Sequence, residues 1–213
     1  MKEFNQAYFK RFYGLTDKKN PESKLKAYKR ELESITGVEI GLKILDVGCG
    51  YGGFLRQLGD NWKTFGIDVS SYAIEYAKKL SPKTDYRLCS VSDLKSKSEF
   101  DAVTAFDSLE HVPNVDRSLI NISRALKQNG TFICVVPVYD GLFGLISGLL
   151  DYDSTHVNKK SRDYWLKKFS KYFEIIQTKG ILRKELFGEL YWHFMSSHLA
   201  GLGQAILVKM KKI

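Results

Sequence analysis

From Lys43 onward, short apolar runs alternate with stretches whose apolar residues recur every three or four positions. Ile44-Leu45-Asp46-Val47 is a strand-like run that meets Gly48, and Phe54, Leu55 and Leu58 open a helical face behind it. Lys63 to Asp68 reads as a second strand and Ser71 to Lys79 as a helix. Asp85 to Cys89 makes a short third strand, and Phe100 to Phe106 a fourth. Asn114 caps a helix carrying Leu119, Ile122, Ala125 and Leu126, which Asn129-Gly130 ends. Thr131 to Val136 is then a strand stopped by Pro137. Strands alternating with helical faces predict crossover units and a parallel sheet.

The flanks follow other patterns. Residues 1–40 are polar with aromatic punctuation. Tyr8 and Phe12, like Phe9 and Tyr13, have the four-residue spacing of one helix face. A second helix runs from Ser23 or Lys24 to Ile35 and stops at Gly37. After Pro137 the alternation breaks. Leu142, Phe143, Leu145, Ile146, Leu149 and Leu150 cover one helical face, with Gly144, Ser147 and Gly148 opposite. Most of that apolar face is expected to pack over the sheet edge, since an apolar stripe at helical spacing usually buries itself. Arg162 to Tyr172 reads as a helix, Phe173 to Thr178 as a strand, Leu186 to Leu199 as an aromatic helix and Ala205 to Met210 as a last strand. The pattern divides the chain into an N-terminal helical cap, residues 1–40, and a domain over residues 41–213 with a cap insertion at about 138–165.

Composition narrows the class. The 213 residues are 44% hydrophobic and 27% charged with 4 Pro, which excludes collagen-like and wholly disordered chains. The longest apolar run, residues 141–150, is far short of the ~20 residues of a membrane span. No apolar signal segment opens the chain. Cys49, Cys89 and Cys134 are an odd number without a paired-cysteine motif, so reduced thiols and a cytoplasmic setting are expected. The net charge of +9 comes from lysines spread along the chain, which suits a basic, soluble surface better than a nucleic-acid footprint.

The most informative stretch is Ile44-Leu45-Asp46-Val47-Gly48-Cys49-Gly50-Tyr51-Gly52-Gly53-Phe54-Leu55. A strand enters a glycine turn and then a helix, so bare backbone and free helix N–H groups meet a ligand. Asp46 sits just before the first glycine, where a dinucleotide-binding turn carries an apolar residue. Asp68 ends the next strand, about twenty residues on, where an acid can bind ribose hydroxyls.

These residues resemble the class I S-adenosylmethionine-dependent methyltransferases. Asp46 to Gly52 is similar to their first motif and Gly66-Ile67-Asp68-Val69-Ser70 to their second. Cys89-Ser90-Val91-Ser92-Asp93-Leu94 resembles the third. Phe100 to Val112 resembles the fourth, in the Glu110-His111-Val112 form of the quinone-biosynthesis-like branch. The resemblance covers roughly residues 43–137. It implies a doubly wound, seven-stranded, mostly parallel α/β sheet of Rossmann-like form, with an antiparallel last strand and a helical cap. It implies S-adenosylmethionine bound along Asp46, Gly48, Cys49, Gly50 and Gly52, with Asp68 and Val69 at the ribose, Ser92, Asp93 and Leu94 at the adenine, and Phe106 and Asp107 at the edge of the fourth strand.

The resemblance defines the donor and leaves the acceptor to the rest of the chain. No Asn/Asp-Pro-Pro-Tyr stretch of nucleic-acid amino methylation follows the fourth strand, where Phe106-Asp107-Ser108-Leu109 stands. No Pro-Cys nucleophile is present. The Asp-Asn pair of magnesium-dependent catechol-type enzymes is replaced by Val138-Tyr139-Asp140-Gly141, and no cluster has zinc spacing. The expected activity is therefore metal-independent methyl transfer to a small-molecule or lipid substrate. A methyltransferase for RNA or protein is the second reading, motivated by the charge, and a non-catalytic S-adenosylmethionine-binding module the third. A hydroxyl or acidic-carbon acceptor needs a general base, and His111 and His156, both placed beyond strand ends, are the candidates. Tyr8, Tyr13 and Phe143 are the candidates for covering the acceptor.

Overall fold

The computed structural model describes residues 4–14, 17, 19–186 and 190–213. Two short helices lead: α1 (Gln6–Phe12), whose Asn5 side chain accepts the Tyr8 N–H, and α2 (Glu22–Thr36), begun after Pro21 and ended at Gly37. Then come β1 (Lys43–Val47), α3 (Gly53–Leu58), β2 (Lys63–Asp68), α4 (Ser71–Leu80), β3 (Asp85–Leu88), β4 (Phe100–Phe106), α5 (Val115–Ala125) and β5 (Leu126–Pro137). The chain closes with α6 (Gly141–Leu149), α7 (Arg162–Phe169), β6 (Phe173–Leu186), β7 (Leu190–Ser196) and β8 (Ala205–Lys212).

One sheet runs in the order β3-β2-β1-β4-β5-β8-β6-β7. The first five strands in that order are mutually parallel. β8 inserts antiparallel between β5 and β6. The crossover reading and the antiparallel last strand hold. The strand number does not: the sheet has eight strands where seven are expected. The extra one is β7, within the segment predicted as an aromatic helix. From Gly180↔Ser196 to Leu186↔Leu190 it pairs with β6, which itself runs well past Thr178. Trp192 and Phe194 show why: they are two apart, half-exposed and stacked at 6.1 Å between centroids, the spacing of one strand face. The predicted helix also touches residues 187–189, which lie outside the described residues.

Burial follows the two-sided cover of a parallel sheet. One core cluster joins Val103, Phe132, Cys134, Trp165 and Phe169. The other joins Tyr28, Leu32, Ile44, Phe54 and Ile133. A separate aromatic cluster of Tyr8, Phe9 and Tyr51 seats α1 beside α4. The apolar face of α6 stays out of all three clusters. Leu142, Phe143, Leu145, Ile146, Leu149 and Leu150 are exposed, and the buried residue is Gly144. The helix packs by its small-residue face because a Cβ at Gly144 would stand 2.6 Å from the Val138 carbonyl oxygen. The expectation that the apolar face packs over the sheet edge is therefore corrected.

Candidate active site

The carboxyl ends of β1, β2 and β4 meet at one edge, where ligands bind in open parallel sheets. Gly48 follows β1 with φ +72°, and a Cβ there would lie 2.5 Å from the Ser108 Cβ, so the turn after β1 closes directly on the turn after β4. Asp68, at the end of β2, braces the same turn. Its Oδ2 accepts the Gly50 N–H at 2.9 Å and its Oδ1 the Ser70 N–H at 2.8 Å. Burial raises its pKa, and these backbone donors partly offset that.

A cleft of about 750 Å³, mouth included, opens over this edge. Gly48, Gly50, Asp68, Val69 and Asp107 line it, as do Tyr8 and Tyr13 from the N-terminal segment. Other expected residues stand differently. Asp46 lies beneath the turn, buried, accepting the Thr104 hydroxyl at 2.7 Å. Burial pushes its pKa up to about 7. Gly52 is the N-cap of α3, against the Tyr86 hydroxyl. Cys49 is buried beside Gly66. Where the resemblance places the adenine, the cleft wall is Cys89, Ser90 and Val91. The Ser92 hydroxyl is hydrogen-bonded to the Ser118 hydroxyl, and Asp93 and Leu94 line a separate groove. The Asp93 side chain is 68% exposed and pairs with Arg117 at 3.5 Å. Phe143 lines neither this cleft nor the cavity next to it, because the face of α6 that carries it points outward.

That second cavity shares Tyr13, Gly48, Gly50, Asp107 and His111 with the cleft. Lys19, Lys24, Phe106, Glu110, His156 and Arg183 complete much of its wall. Asp107 is its electrostatic centre. It adopts φ +51°, and its Oδ2 accepts from Lys24 Nζ at 2.9 Å and Arg183 Nη1 at 2.7 Å. Burial alone would raise its pKa, yet Arg183 and Lys24 together hold the carboxyl well below the usual range.

His111 and His156 come together although 45 positions separate them: their ring centroids are 4.7 Å apart. The Thr155 hydroxyl donates to Asp153 Oδ1 at 2.5 Å, so His111 Nδ1–H donates to the Thr155 oxygens at 2.9 and 3.1 Å. His156 Nδ1 donates to Asp151 Oδ2 at 2.7 Å. Each ring therefore turns Nε2 to the site. Burial, then the neighbouring His156, lowers the His111 pKa to about 4, which leaves it a neutral imidazole at pH 7. Glu110 lies beside them, 1% exposed, with its Oε2 unpartnered. Burial and the charge of Asp107 raise its pKa to about 8. Tyr8 donates its hydroxyl to Asp153 at 3.0 Å and covers this corner.

Sequence reasoning assigned no role to Glu110, Lys24 or Arg183. Glu110 stands in a recognised motif next to His111. Lys24 and Arg183 give no local signal, because they reach Asp107 only through the tertiary fold.

A strand–glycine turn–helix, an acid at the end of the next strand and two adjoining cavities at the switch of strand order define a nucleotide-cofactor-dependent α/β enzyme. Residues 45–134 match the family model described as a methyltransferase domain. The ubiquinone biosynthesis O-methyltransferase of Rickettsia canadensis (strain McKiel) is 32% identical over 160 residues, covering 70% of this chain and 66% of that protein. The chain thus spans about two thirds of the length of the curated relatives it matches. In fold it is similar to the methyltransferase in complex with the Haloferax volcanii Trm112 activator, with TM-score 0.74, 17% identity and coverage of 96% and 97% of the two chains. It is also similar to a SAM-dependent methyltransferase of Thermotoga maritima, with TM-score 0.68, 20% identity and coverage of 88% and 89%. The chain belongs to the class I S-adenosylmethionine-dependent methyltransferases, and S-adenosylmethionine is its cofactor. Among the described residues no helix is long and apolar enough to cross a membrane.

Proposed function

We propose that this chain methylates an oxygen of a small, lipophilic acceptor, an aromatic hydroxyl being the best fit. The observation that carries this is the shared wall. A cleft built on Gly48, Gly50 and Asp68 opens through Tyr13, Asp107 and His111 into a second cavity, so donor and acceptor each have a place. A module that only sensed the cofactor would need no second cavity. The names of the relatives, which act in ubiquinone biosynthesis, point to the same acceptor class.

In this reading Gly48, Gly50, Asp68, Val69 and Asp107 hold S-adenosylmethionine, and Tyr8 and Tyr13 close over it. The sulfonium supplies an activated methyl group. The protein aligns the acceptor oxygen behind that carbon, a contribution of up to ~7–11 kcal/mol. The O–H proton passes to the His111–His156 pair, the oxygen lone pair forms the new C–O bond, and the C–S electron pair returns to sulfur. The rigid Lys24–Asp107–Arg183 network fixes the floor on which both molecules rest.

The test is methyl transfer from labelled cofactor to phenols and dihydroxyarenes with and without an isoprenoid tail, with RNA and histone-like protein as comparison acceptors. Turnover confined to the aromatic hydroxyls supports the assignment. Turnover confined to RNA or protein refutes it. His111→Ala and His156→Ala should each lose ~10²–10⁴-fold in turnover with cofactor affinity nearly unchanged.

A further inference from the structure

The two imidazoles that line the second cavity differ in what stands behind them. His156 Nδ1 lies 2.7 Å from Asp151 Oδ2, and the Tyr139 hydroxyl donates to the same oxygen at 2.6 Å. Burial would raise the Asp151 pKa, yet Tyr139, His156 and the Asp153 N–H hold the carboxyl well below the ordinary range, so it is ionised and can only accept. A bare ring nitrogen at that distance from a carboxylate would be repelled. Nδ1 therefore carries the proton, and Nε2 keeps its lone pair for the cavity. His111 makes the corresponding contact only with the neutral Thr155 hydroxyl and carbonyl, at 2.9 and 3.1 Å.

We propose, resting on the reading of this cavity as the acceptor site, that His156 is the ring that takes the acceptor's proton and that Asp151 is its positioning residue, with His111 accepting a hydrogen bond beside it. A carboxylate on Nδ1–H fixes the tautomer and stabilises the imidazolium that forms, which a hydroxyl or carbonyl does less. A second acid faces the other nitrogen: Asp153 Oδ2 lies 3.9 Å from His156 Nε2, where the proton arrives. Lys159, 3.1 Å from Asp151, and Lys19, 3.8 Å from Asp153, offset these acids in part, but each is more exposed than the carboxylate it meets. Glu110, whose pKa is raised to about 8, adds little negative charge at pH 7. Burial and the neighbouring His156 keep His111 neutral, which makes it the poorer resting place for a proton.

Two segments hold the Asp151–His156 pair. Asp151, Asp153 and His156 share the loop after α6, where the Asp153 N–H donates to Asp151 Oδ1 at 3.1 Å and the His156 N–H to the Asp153 carbonyl at 3.2 Å. Tyr139 follows β5 and is tied to the same loop by its own N–H on the Lys160 carbonyl at 3.0 Å. With the acceptor oxygen aligned behind the methyl carbon, its O–H proton moves to His156 Nε2, the oxygen lone pair forms the C–O bond, and the C–S pair returns to sulfur. The imidazolium then gives its proton to water. Asp151 stays ionised throughout and takes no proton.

The test labels the full chain with ¹⁵N-histidine and reads the His156 tautomer from imidazole ¹⁵N–¹H correlations, with S-adenosylhomocysteine bound and no acceptor. His156→Ala identifies the signal. The wild type should show Nδ1–H. In Asp151→Asn the Asp153 N–H still needs the amide oxygen, so the new NH₂ faces His156 and the ring should switch to Nε2–H. Tyr139→Phe leaves the carboxylate behind the ring and should keep Nδ1–H. With an aromatic hydroxyl, Asp151→Asn should lose ~10²–10⁴-fold in kcat, while acceptor KM and S-adenosylhomocysteine affinity stay within a few-fold of wild type. The same change should cost little more in His156→Ala and keep its effect in His111→Ala. An unchanged tautomer in Asp151→Asn, or losses that multiply in Asp151→Asn/His156→Ala, overturns the proposal. The tautomer readout needs no acceptor. A switch in Asp151→Asn without methyl transfer to any aromatic hydroxyl by the wild type would sink the acceptor assignment, and the proton step with it, and leave Asp151 as the group that orients His156.

Discussion

The orientation of α6 gives a prediction opposite to ordinary helix rules. In a helix that packs by its leucines, Leu→Ala costs ~2–5 kcal/mol and a solvent-side Gly→Ala gains up to ~1 kcal/mol from propensity. In this chain the roles are exchanged. Leu145 is 60% exposed, so Leu145→Ala should change stability by no more than ~0.5 kcal/mol. Gly144 is buried, and the added Cβ would meet the Val138 carbonyl oxygen at 2.6 Å and the Tyr139 and Val138 carbonyl carbons at 3.3 Å. Those atoms are backbone, so relief requires the helix to lift. Overpacking of this kind costs ~1–3 kcal/mol, which outweighs the propensity gain. The net expectation for Gly144→Ala is a loss of ~1–2 kcal/mol, or roughly 2–8 °C in Tm for a chain of this size. Lifting α6 also moves Tyr139, whose hydroxyl reaches Asp151 and His156, so turnover should fall with stability. Urea unfolding followed by circular dichroism measures both variants. A loss of 2 kcal/mol or more in Leu145→Ala, or a gain in Gly144→Ala, would refute the packing argument.

Other consequences are as direct. Asp68→Ala removes the acceptor of the Gly50 and Ser70 N–H groups and, in the proposed cofactor pose, a ribose ligand. It should weaken S-adenosylhomocysteine binding by ~1.5–3 kcal/mol in titration calorimetry. Gly48→Ala should abolish measurable cofactor binding, with partial recovery in Gly48→Ala/Ser108→Gly, since Ser108 Cβ is the obstructing atom. Asp46, with a native pKa near 7 against 3.8 when unfolded, is protonated in the native state across a pH range where the unfolded chain is ionised. Its contribution to stability is therefore full below about pH 4 and lost as pH rises to about 7. The wild-type minus Asp46→Asn difference in unfolding free energy should show that slope and be flat outside it. Lys24→Met leaves half-buried Asp107 with Arg183 alone and should destabilise by several tenths to a few kcal/mol, with non-additivity in the Lys24→Met/Arg183→Met double variant.

What the sequence discloses depends on how local each feature is. Asp46 to Gly52 is contiguous, and its strand, turn and helix follow from residues within a few positions of one another. The acid at Asp68 follows from the regular length of one crossover unit. The Lys24–Asp107–Arg183 network joins α2, β4 and β6, and Glu110 meets His156 only because the loop after α6 folds back. No periodicity carries such contacts. The α6 error has a more specific cause. Periodicity shows that two faces differ but not which one turns inward, and a face of Gly144, Ser147 and Gly148 has the profile of close backbone packing rather than of hydration. The β7 error came from reading aromatic density as a helix where Trp192 and Phe194 keep a two-residue spacing.

This uneven legibility reflects how the site is divided. The donor half rests on contiguous turns after β1 and β2, whose geometry is over-determined by backbone hydrogen bonds and the close approach of Gly48 to Ser108. In the proposed reading the acceptor half is gathered from the segment between α1 and α2, α2, the loop after β4, the loop after α6 and β6, each contributing one to three side chains. Substitutions in the second group can change the acceptor without disturbing the first, provided Asp107 is kept. That residue lines both cavities, holds a left-handed backbone conformation and ties α2 to β6 through one carboxylate. Coupling between donor and acceptor binding should therefore run through Asp107. Variants of Lys24 or Arg183 should alter the effect of bound S-adenosylhomocysteine on acceptor affinity more than variants of the exposed α6 face do.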